Sequence, residues 1–401
     1  MRNVPKLRFK EFTDELREVK FKDFLNERKN IATDNEELYS LTIEKGVTPK
    51  EERYEREFLV NNEKEAYKIV LKNDFVYNPM NIRFGAVAQF IENKNVKVSK
   101  YYNIFYCNNC INSYFFEKFI KTKRMFDLYN KLATGSLNEK KRLHFTDFLE
   151  IKQPFPSLEE QEKIGDFLLN VDKKISITEE KLSLFEEYKK GIMQKIFNQE
   201  LRFKDANGND YPEWEEKKLE EIAEYRRGSF PQPYGLKEWY DEINGKPFVQ
   251  VYDVDDNFKL KNDTKNKISK KAEEFSVFAE EGTIIVTLQG SIGRVAKMQY
   301  SAFIDRTLLI FEKFLFPIDT DYFKYILFLI FDEEKRKAPG GIIKTITKEA
   351  LSSFDTKLPC LEEQQKIADF LSAIDTKIEK ISDELENLKE FKKGLLQQMF
   401  V

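Results

Sequence analysis

From residue 156 to 197, and again from 359 to 400, apolar side chains recur at alternating steps of four and three, the spacing that lays one continuous seam along an α-helix. The first seam is Ile164, Leu168, Val171, Ile175, Thr178, Leu182, Phe185, Lys189, Ile192 and Ile196. The second is Ile367, Leu371, Ile374, Ile378, Ile381, Leu385, Leu388, Lys392, Leu395 and Met399. The two stretches are copies: 20 of 42 aligned positions are identical at a constant offset of 203, without a gap. Each opens on P-x-L-E-E-Q, where Ser157 and Glu160 have capping-box spacing and the paired carboxylates suit the positive end of a helix dipole. About 40 residues at 1.5 Å each predict helices about 60 Å long. Lys189 and Lys392 interrupt the seam at the same place in both copies and read as the point where the coil ends.

A fainter duplication surrounds the helices. Leu7-Arg8-Phe9-Lys10 matches Leu201-Arg202-Phe203-Lys204, and each arm shortly precedes a segment of unlike sequence. Within those segments, Phe75-Val76-Tyr77-Asn78 leading to Gly85-Ala86-Val87-Ala88 parallels Thr283-Ile284-Ile285-Val286 leading to Gly293-Arg294-Val295-Ala296. Each reads as an apolar strand, a polar turn and a second strand. The expected organisation is an arm at 1–15, a domain at 16–155, a helix at 156–198, a connecting arm at 199–213, a second domain at 214–358 and a second helix at 359–401. A compact domain brings its chain ends together, so the end of the first helix should lie beside the start of the second. The helices then run antiparallel, since a parallel pair would stretch the second domain over about 60 Å. The expected fold is α+β, two mixed α/β domains on a long antiparallel two-helix coiled coil, with pseudo-two-fold internal duplication.

Composition narrows the class. With 41% hydrophobic and 34% charged residues the 401-residue chain fills real cores and is neither disordered nor collagen-like. The apolar run from Tyr325 to Phe331 is far short of the ~20 residues that cross a bilayer, so no membrane association is expected. Scattered cysteines, three in all, and an N-terminus without a secretory stretch point to the cytoplasm. The net charge of −3 is an average: residues 16–155 hold 25 basic and 20 acidic side chains, residues 214–358 hold 23 and 25, and the remainder holds 19 and 25. The helices and arms carry the largest net negative charge, −6 against +5 and −2 for the two domains, which leaves the domains relatively more basic.

Two domains on a rod suit an extended partner, and DNA, whose groove information recurs each turn, is the natural one. Basic residues cluster among polar and aromatic neighbours, as phosphate and base contacts require. In the first domain the candidates are Asn81, Arg83, Lys140, Lys141 and Arg142; in the second they are Arg226, Arg227, Gln289, Ser291, Arg294 and Lys344. Catalytic motifs are missing: there is no G-x-x-x-x-G-K-[ST] loop. Tyr77-Asn78-Pro79-Met80 lacks the second proline and the aromatic of an adenine-flipping loop and reads as a strand end. Cys107-x-x-Cys110 has half of a zinc spacing, but the single His144 is distant. Neither a catalytic residue nor a metal site is expected.

The duplicated P-x-L-E-E-Q-x-K-I-x-D-F-L helix openings, the K-K-G-[IL]-[LM]-Q helix ends and the L-R-F-K arms closely resemble the specificity subunit of type I restriction-modification enzymes. Trp214, Leu219, Arg226-Arg227-Gly228 and Pro247-Phe248-Val249-Gln250-Val251 look like the opening of that family's target-recognition domains. The resemblance implies a non-catalytic subunit in which each domain reads one part of a bipartite, asymmetric sequence in double-stranded DNA. It implies that the coil sets the spacer and docks two modification subunits, with Ile164, Leu168, Ile175, Leu182, Ile367, Leu371, Ile378 and Leu385 as coil-interface candidates. S-adenosylmethionine, ATP and Mg would then reside on modification and restriction subunits, and none on this chain. Two other readings stay open, a coiled-coil adaptor for proteins and a self-sufficient restriction enzyme.

Overall fold

The seam residues make two long helices, and their halves divide the molecule. A computed structural model describes residues 4–33, 35–50, 67–135, 141–337, 351–352 and 354–400. One unit comprises Met1–Glu180 with Ser382–Val401, the other Lys181–Ile381.

In the first unit the chain runs through β1 (Arg17–Lys20), β2 (Leu25–Arg28), β3 (Glu37–Thr42), β4 (Gly46–Pro49), β5 (Tyr67–Val70), β6 (Phe75–Tyr77), β7 (Val87–Gln89), β8 (Val96–Ser99) and β9 (Asn103–Cys107). Three short helices follow, α1 (Ser113–Ile120), α2 (Lys123–Leu132) and α3 (Phe145–Leu149), then β10 (Lys152–Phe155) and the long helix α4 (Leu158–Phe197). The second unit adds β11 (Glu215–Lys218), α5 (Leu219–Ile222), β12 (Ala223–Arg227), β13 (Lys246–Val249), β14 (Asn266–Ile268), α6 (Lys270–Glu273) and β15 (Val277–Ala279). It continues with β16 (Ile284–Thr287), β17 (Val295–Lys297), β18 (Ala302–Ile304), β19 (Leu308–Phe314), α7 (Thr320–Lys337), β20 (Asp355–Leu358) and the second long helix α8 (Leu361–Met399).

The two units repeat one topology, strand for strand. The first has sheets ordered β2-β9-β6-β7 and β4-β3-β8-β5, the second β12-β19-β16-β17 and β14-β13-β18-β15. Even the one parallel contact recurs, β3 with β8 and β13 with β18. A two-stranded ribbon closes each unit onto its long helix, β1 with β10 and β11 with β20. The cores are aromatic: Phe21, Phe24, Phe75, Phe105, Phe116 and Phe148 form part of one, and Trp214, Phe311, Tyr322, Phe323 and Phe331 part of the other.

Within each unit the paired helix halves run antiparallel. In the first, Ile164 and Leu168 share a core with Leu395 and Met399, and the ion-pair partner on the second helix falls from Lys392 for Asp172 to Lys389 for Glu179 as the first helix rises. In the second, Ile367 and Leu371 share a core with Met193 and Ile196. Leu385 is buried, and Ile175, Ile378 and Leu182 are half-buried.

The seam lysines do not end the coil; both helices continue past them. Lys392 Nζ lies 2.6 Å from Asp172, and Lys189 Nζ lies 2.5 Å from Asp375. These are the same pair in the two copies, since each residue differs from its counterpart by 203. Each aspartate also accepts a tyrosine hydroxyl from the adjoining domain, Tyr114 at 2.5 Å and Tyr325 at 2.6 Å. A charge that looked like a break in one helix is a cross-helix clasp.

The capping box is only half present. Ser157 Oγ accepts from the Glu160 amide at 3.3 Å, but the Glu160 carboxylate turns away to Arg8, whose Nε and Nη2 reach it at 2.7 Å each. Arg202 forks onto Glu363 in the same way, at 3.2 and 2.9 Å. The next arm residue packs edge-on against the helix, Phe9 on Phe167 and Phe203 on Phe370. The glutamine of E-E-Q ties each helix start to its domain, Gln161 accepting from the Asn112 amide and Gln364 from the Asp319 amide. The L-R-F-K and P-x-L-E-E-Q motifs are thus two halves of one joint.

Candidate nucleic-acid interface

Strand register gathers the candidates at one end of one sheet in each unit. In the second, Arg227 pairs with Leu309 and Thr287 with Leu308, so the end of β12, the end of β16 and the start of β19 are neighbours. Val286 opposite Val295 brings the start of β17 there too. In the first unit the same logic joins Arg28, Tyr77, Val87 and Asn103 through β2, β6, β7 and β9.

The turn from Thr287 to Arg294 is closed by backbone bonds from Thr287 to the Arg294 carbonyl and from Gly293 to the Thr287 carbonyl, each 2.9 Å. The Thr287 hydroxyl accepts from the Arg294 amide and donates to the Ser291 carbonyl. Gln289 and Ser291 stand exposed at its tip, as base or phosphate contacts must. Gly293 has φ +82°, and a Cβ there would lie 2.7 Å from Phe331. Gly85 occupies the corresponding turn at φ +100° against Phe126. Gly293→Ala therefore combines backbone strain with a clash and should destabilise by about 1–3 kcal/mol. A thermal midpoint equal to wild type would show that the turn is not pinned against α7.

In the first unit the turn after β6 holds its candidates close together. Tyr77 donates its hydroxyl to the Leu143 carbonyl at 2.7 Å, and the Leu143 amide donates to the Pro79 carbonyl at 3.0 Å. A bridge between Thr134 and Arg142 closes the neighbouring segment. Arg142 is exposed and Lys141 half-buried beside the turn; Lys140 lies outside the described residues. Asn81 is exposed at the tip, together with Met80 and Phe84.

Arg83 is the exception. It is only 7% exposed, donates to Asn130 at 3.2 Å and lies 5.0 Å from the Phe84 ring centre. Its place is beneath the turn, holding it against α2, because Ile82 and Arg83 both face the core side of the 3-10 turn.

The cations of the second unit differ in how far they are committed. Arg294 forks onto Asp256 at 2.7 and 2.9 Å, and Arg226 pairs with Glu312 at 2.7 Å. Arg227 is exposed beside them, and Lys344 lies outside the described residues. Arg306, which pattern reading passed over, is exposed at the same sheet end. It sits in a connection without the glycine or proline that marks a turn in sequence.

Burial pushes the Cys107 thiol up to about 12, far from the thiolate that a metal ligand needs. Among the described residues no cluster of His, Cys, Asp and Glu is placed to hold a metal ion. No described helix is long and apolar enough to cross a membrane.

The chain is 26% identical to a putative type I restriction enzyme MjaX specificity subunit of Methanocaldococcus jannaschii, over 84% of this chain and 75% of that one. It is 25% identical to the MjaVIII specificity subunit of the same organism, over 69% and 67%. Its fold is similar to the crystal structure of a type I restriction-modification S subunit from M. genitalium, with TM-score 0.61 and 14% identity over 99% of both chains. A second likeness, TM-score 0.56 and 17% identity over 97% and 99%, is to a chain from a study of complex assembly and conformational transition in a type I system. Residues 15–187 and 211–390 each match the type I restriction modification DNA specificity domain, and the chain belongs to that family.

Proposed function

We propose that this specificity subunit reads an asymmetric bipartite DNA sequence, one half with each unit, and performs no chemistry itself. The observation that carries the reading is the repeated topology with unlike side chains at the same sheet end. One framework used twice gives two readers of the same geometry, and different tips give them different sequences. The tip of the first turn offers Met80, Asn81 and Phe84; the tip of the second offers Gln289 and Ser291. An amide suits an adenine edge and an apolar group suits a thymine methyl, so the half-sites should differ.

The long helices are the proposed seat of two modification subunits. Lys190 and Gln194 in one copy are identical to Lys393 and Gln397 in the other, yet all four are exposed and fill no core. Surface identity between two copies in one chain is what a partner bound twice would impose. S-adenosylmethionine would then serve those partners, and ATP and Mg the restriction subunits.

The test is to sequence methylated adenines in cells that express the chain with its modification subunits. The expected result is modification at one interrupted sequence with unlike halves and a fixed spacer. Modification at a continuous palindrome, or a pattern unchanged when the chain is deleted, contradicts the proposal.

A further inference from the structure

The connection from β18 to β19 has three residues, Asp305 to Thr307, and its counterpart from β8 to β9, residues 100–102, has the same length. The middle residue is exposed in both, Arg306 in the second unit and Tyr101, 78% exposed, in the first. Backbone bonds hold the second-unit connection firmly: the Asp305 amide donates to the Val249 carbonyl and the Leu308 amide to the Asp305 carbonyl, each at 3.0 Å. The Leu288 amide donates to the Thr307 carbonyl at 2.8 Å, which fixes Arg306 beside the turn carrying Gln289.

A column of rings orients the Arg306 side chain. Phe248 is fully buried in β13, Phe230 stacks on it at 4.5 Å, and Tyr234 follows at 4.8 Å. The Arg306 guanidinium lies 5.0 Å above Tyr234 as the outermost layer. Tyr240 donates its hydroxyl to the Tyr234 carbonyl at 3.0 Å and steadies the platform. Arg294 and Arg226 spend their donors on carboxylates, whereas among the described residues Arg306 has none within ion-pair distance. Its face is used by the ring, and its edge, which carries five N–H donors, is directed by that stacking.

Two acceptors fit such a fork, a backbone phosphate and the O6/N7 edge of guanine. The duplication decides between them. Phosphates are the same in both half-sites, so a phosphate contact should keep its cation in both units. This position keeps its loop length and exposure and changes from tyrosine to arginine, as a position that reads a varying base would.

Resting on the DNA-reading function above, we propose that Arg306, oriented by Tyr234, reads a guanine through O6 and N7 in the half-site recognised by the second unit. The experiment uses the chain assembled with its modification subunits and a duplex carrying its own recognition sequence. Guanines of that half-site are replaced one at a time by 7-deazaguanine, which lacks the N7 acceptor. One replacement should weaken binding by the wild-type complex about 10- to 100-fold and have no effect on Arg306→Ala. Arg306→Ala should accept any base pair at that position while reading the other half-site unchanged. Tyr234→Leu should lose part of the discrimination at that position alone. The proposal is overturned if Arg306→Ala weakens all sequences alike with a shallower salt dependence, if it changes nothing, or if the half-site holds no guanine. A wild-type complex without sequence preference would instead refute the DNA-reading function, before any variant is compared.

Discussion

Arg202→Ala should destabilise the second unit by about 3–5 kcal/mol, although it replaces one residue of a connecting arm. Glu363 is fully buried, and its carboxylate receives Arg202 Nε and Nη2 and, at 3.0 Å, the Trp214 indole. The same guanidinium donates to the Pro212 carbonyl at 2.7 Å. Its removal leaves a desolvated carboxylate with one neutral donor. Arg202→Lys should recover only part, because an ammonium cannot make the fork. Removing both charges, with Arg202→Met and Glu363→Gln, should cost less than the single alanine change. Urea unfolding followed by tryptophan fluorescence reads this unit, since both tryptophans, Trp214 and Trp239, lie in it. A loss below about 1 kcal/mol would make the joint an ordinary surface pair.

Asp172→Ala should cost about 2–4 kcal/mol by leaving Lys392, Lys118 and Tyr114 without their common acceptor. The clasp also gives the first unit an acid sensitivity. Burial alone would raise the Asp172 carboxyl, but hydrogen bonds from Lys392 and Tyr114 and the charges of Lys118 and Lys392 outweigh it and hold the group below 3.8. A carboxylate depressed in the folded state contributes stability that is complete above the unfolded value and lost as pH falls through the folded one. Wild type should therefore lose stability from about pH 5 downward more steeply than Asp172→Asn. Glu117, which shares Lys118, is also held low and titrates in both proteins, so the difference between them isolates Asp172. Parallel profiles would show that the clasp carries no such linkage.

The joint and the clasp show how legibility divided. The helices were plain in the sequence because a 3.5-residue seam repeated over 40 residues leaves an unmistakable pattern, and the second copy doubled it. Lys189 and Lys392 look like breaks in the seam for a physical reason: their partners, Asp375 and Asp172, sit beside the seam on the other helix. A pattern read along one helix cannot show a charge satisfied across two. The strand topology was nearly invisible because most strands have three to five residues, too few for alternation to stand out. The G-x-V-A echo caught one hairpin of each unit, β6–β7 and β16–β17, since the glycine with positive φ packs against an aromatic in both. Arg83 has the sequence position of a turn-tip cation, but its neighbours turn it inward. Arg306 needed the paired strand register to be noticed at all.

Those same equivalences carry the central claim, that each unit reads its own half of the DNA site. The measurement that tests it most directly replaces residues 214–358 with the corresponding domain of another specificity subunit and maps methylated adenines in cells carrying the exchanged chain with its modification subunits. The account predicts that one half of the recognised sequence changes while the other half stays as it was. A change in both halves, or in neither, contradicts it.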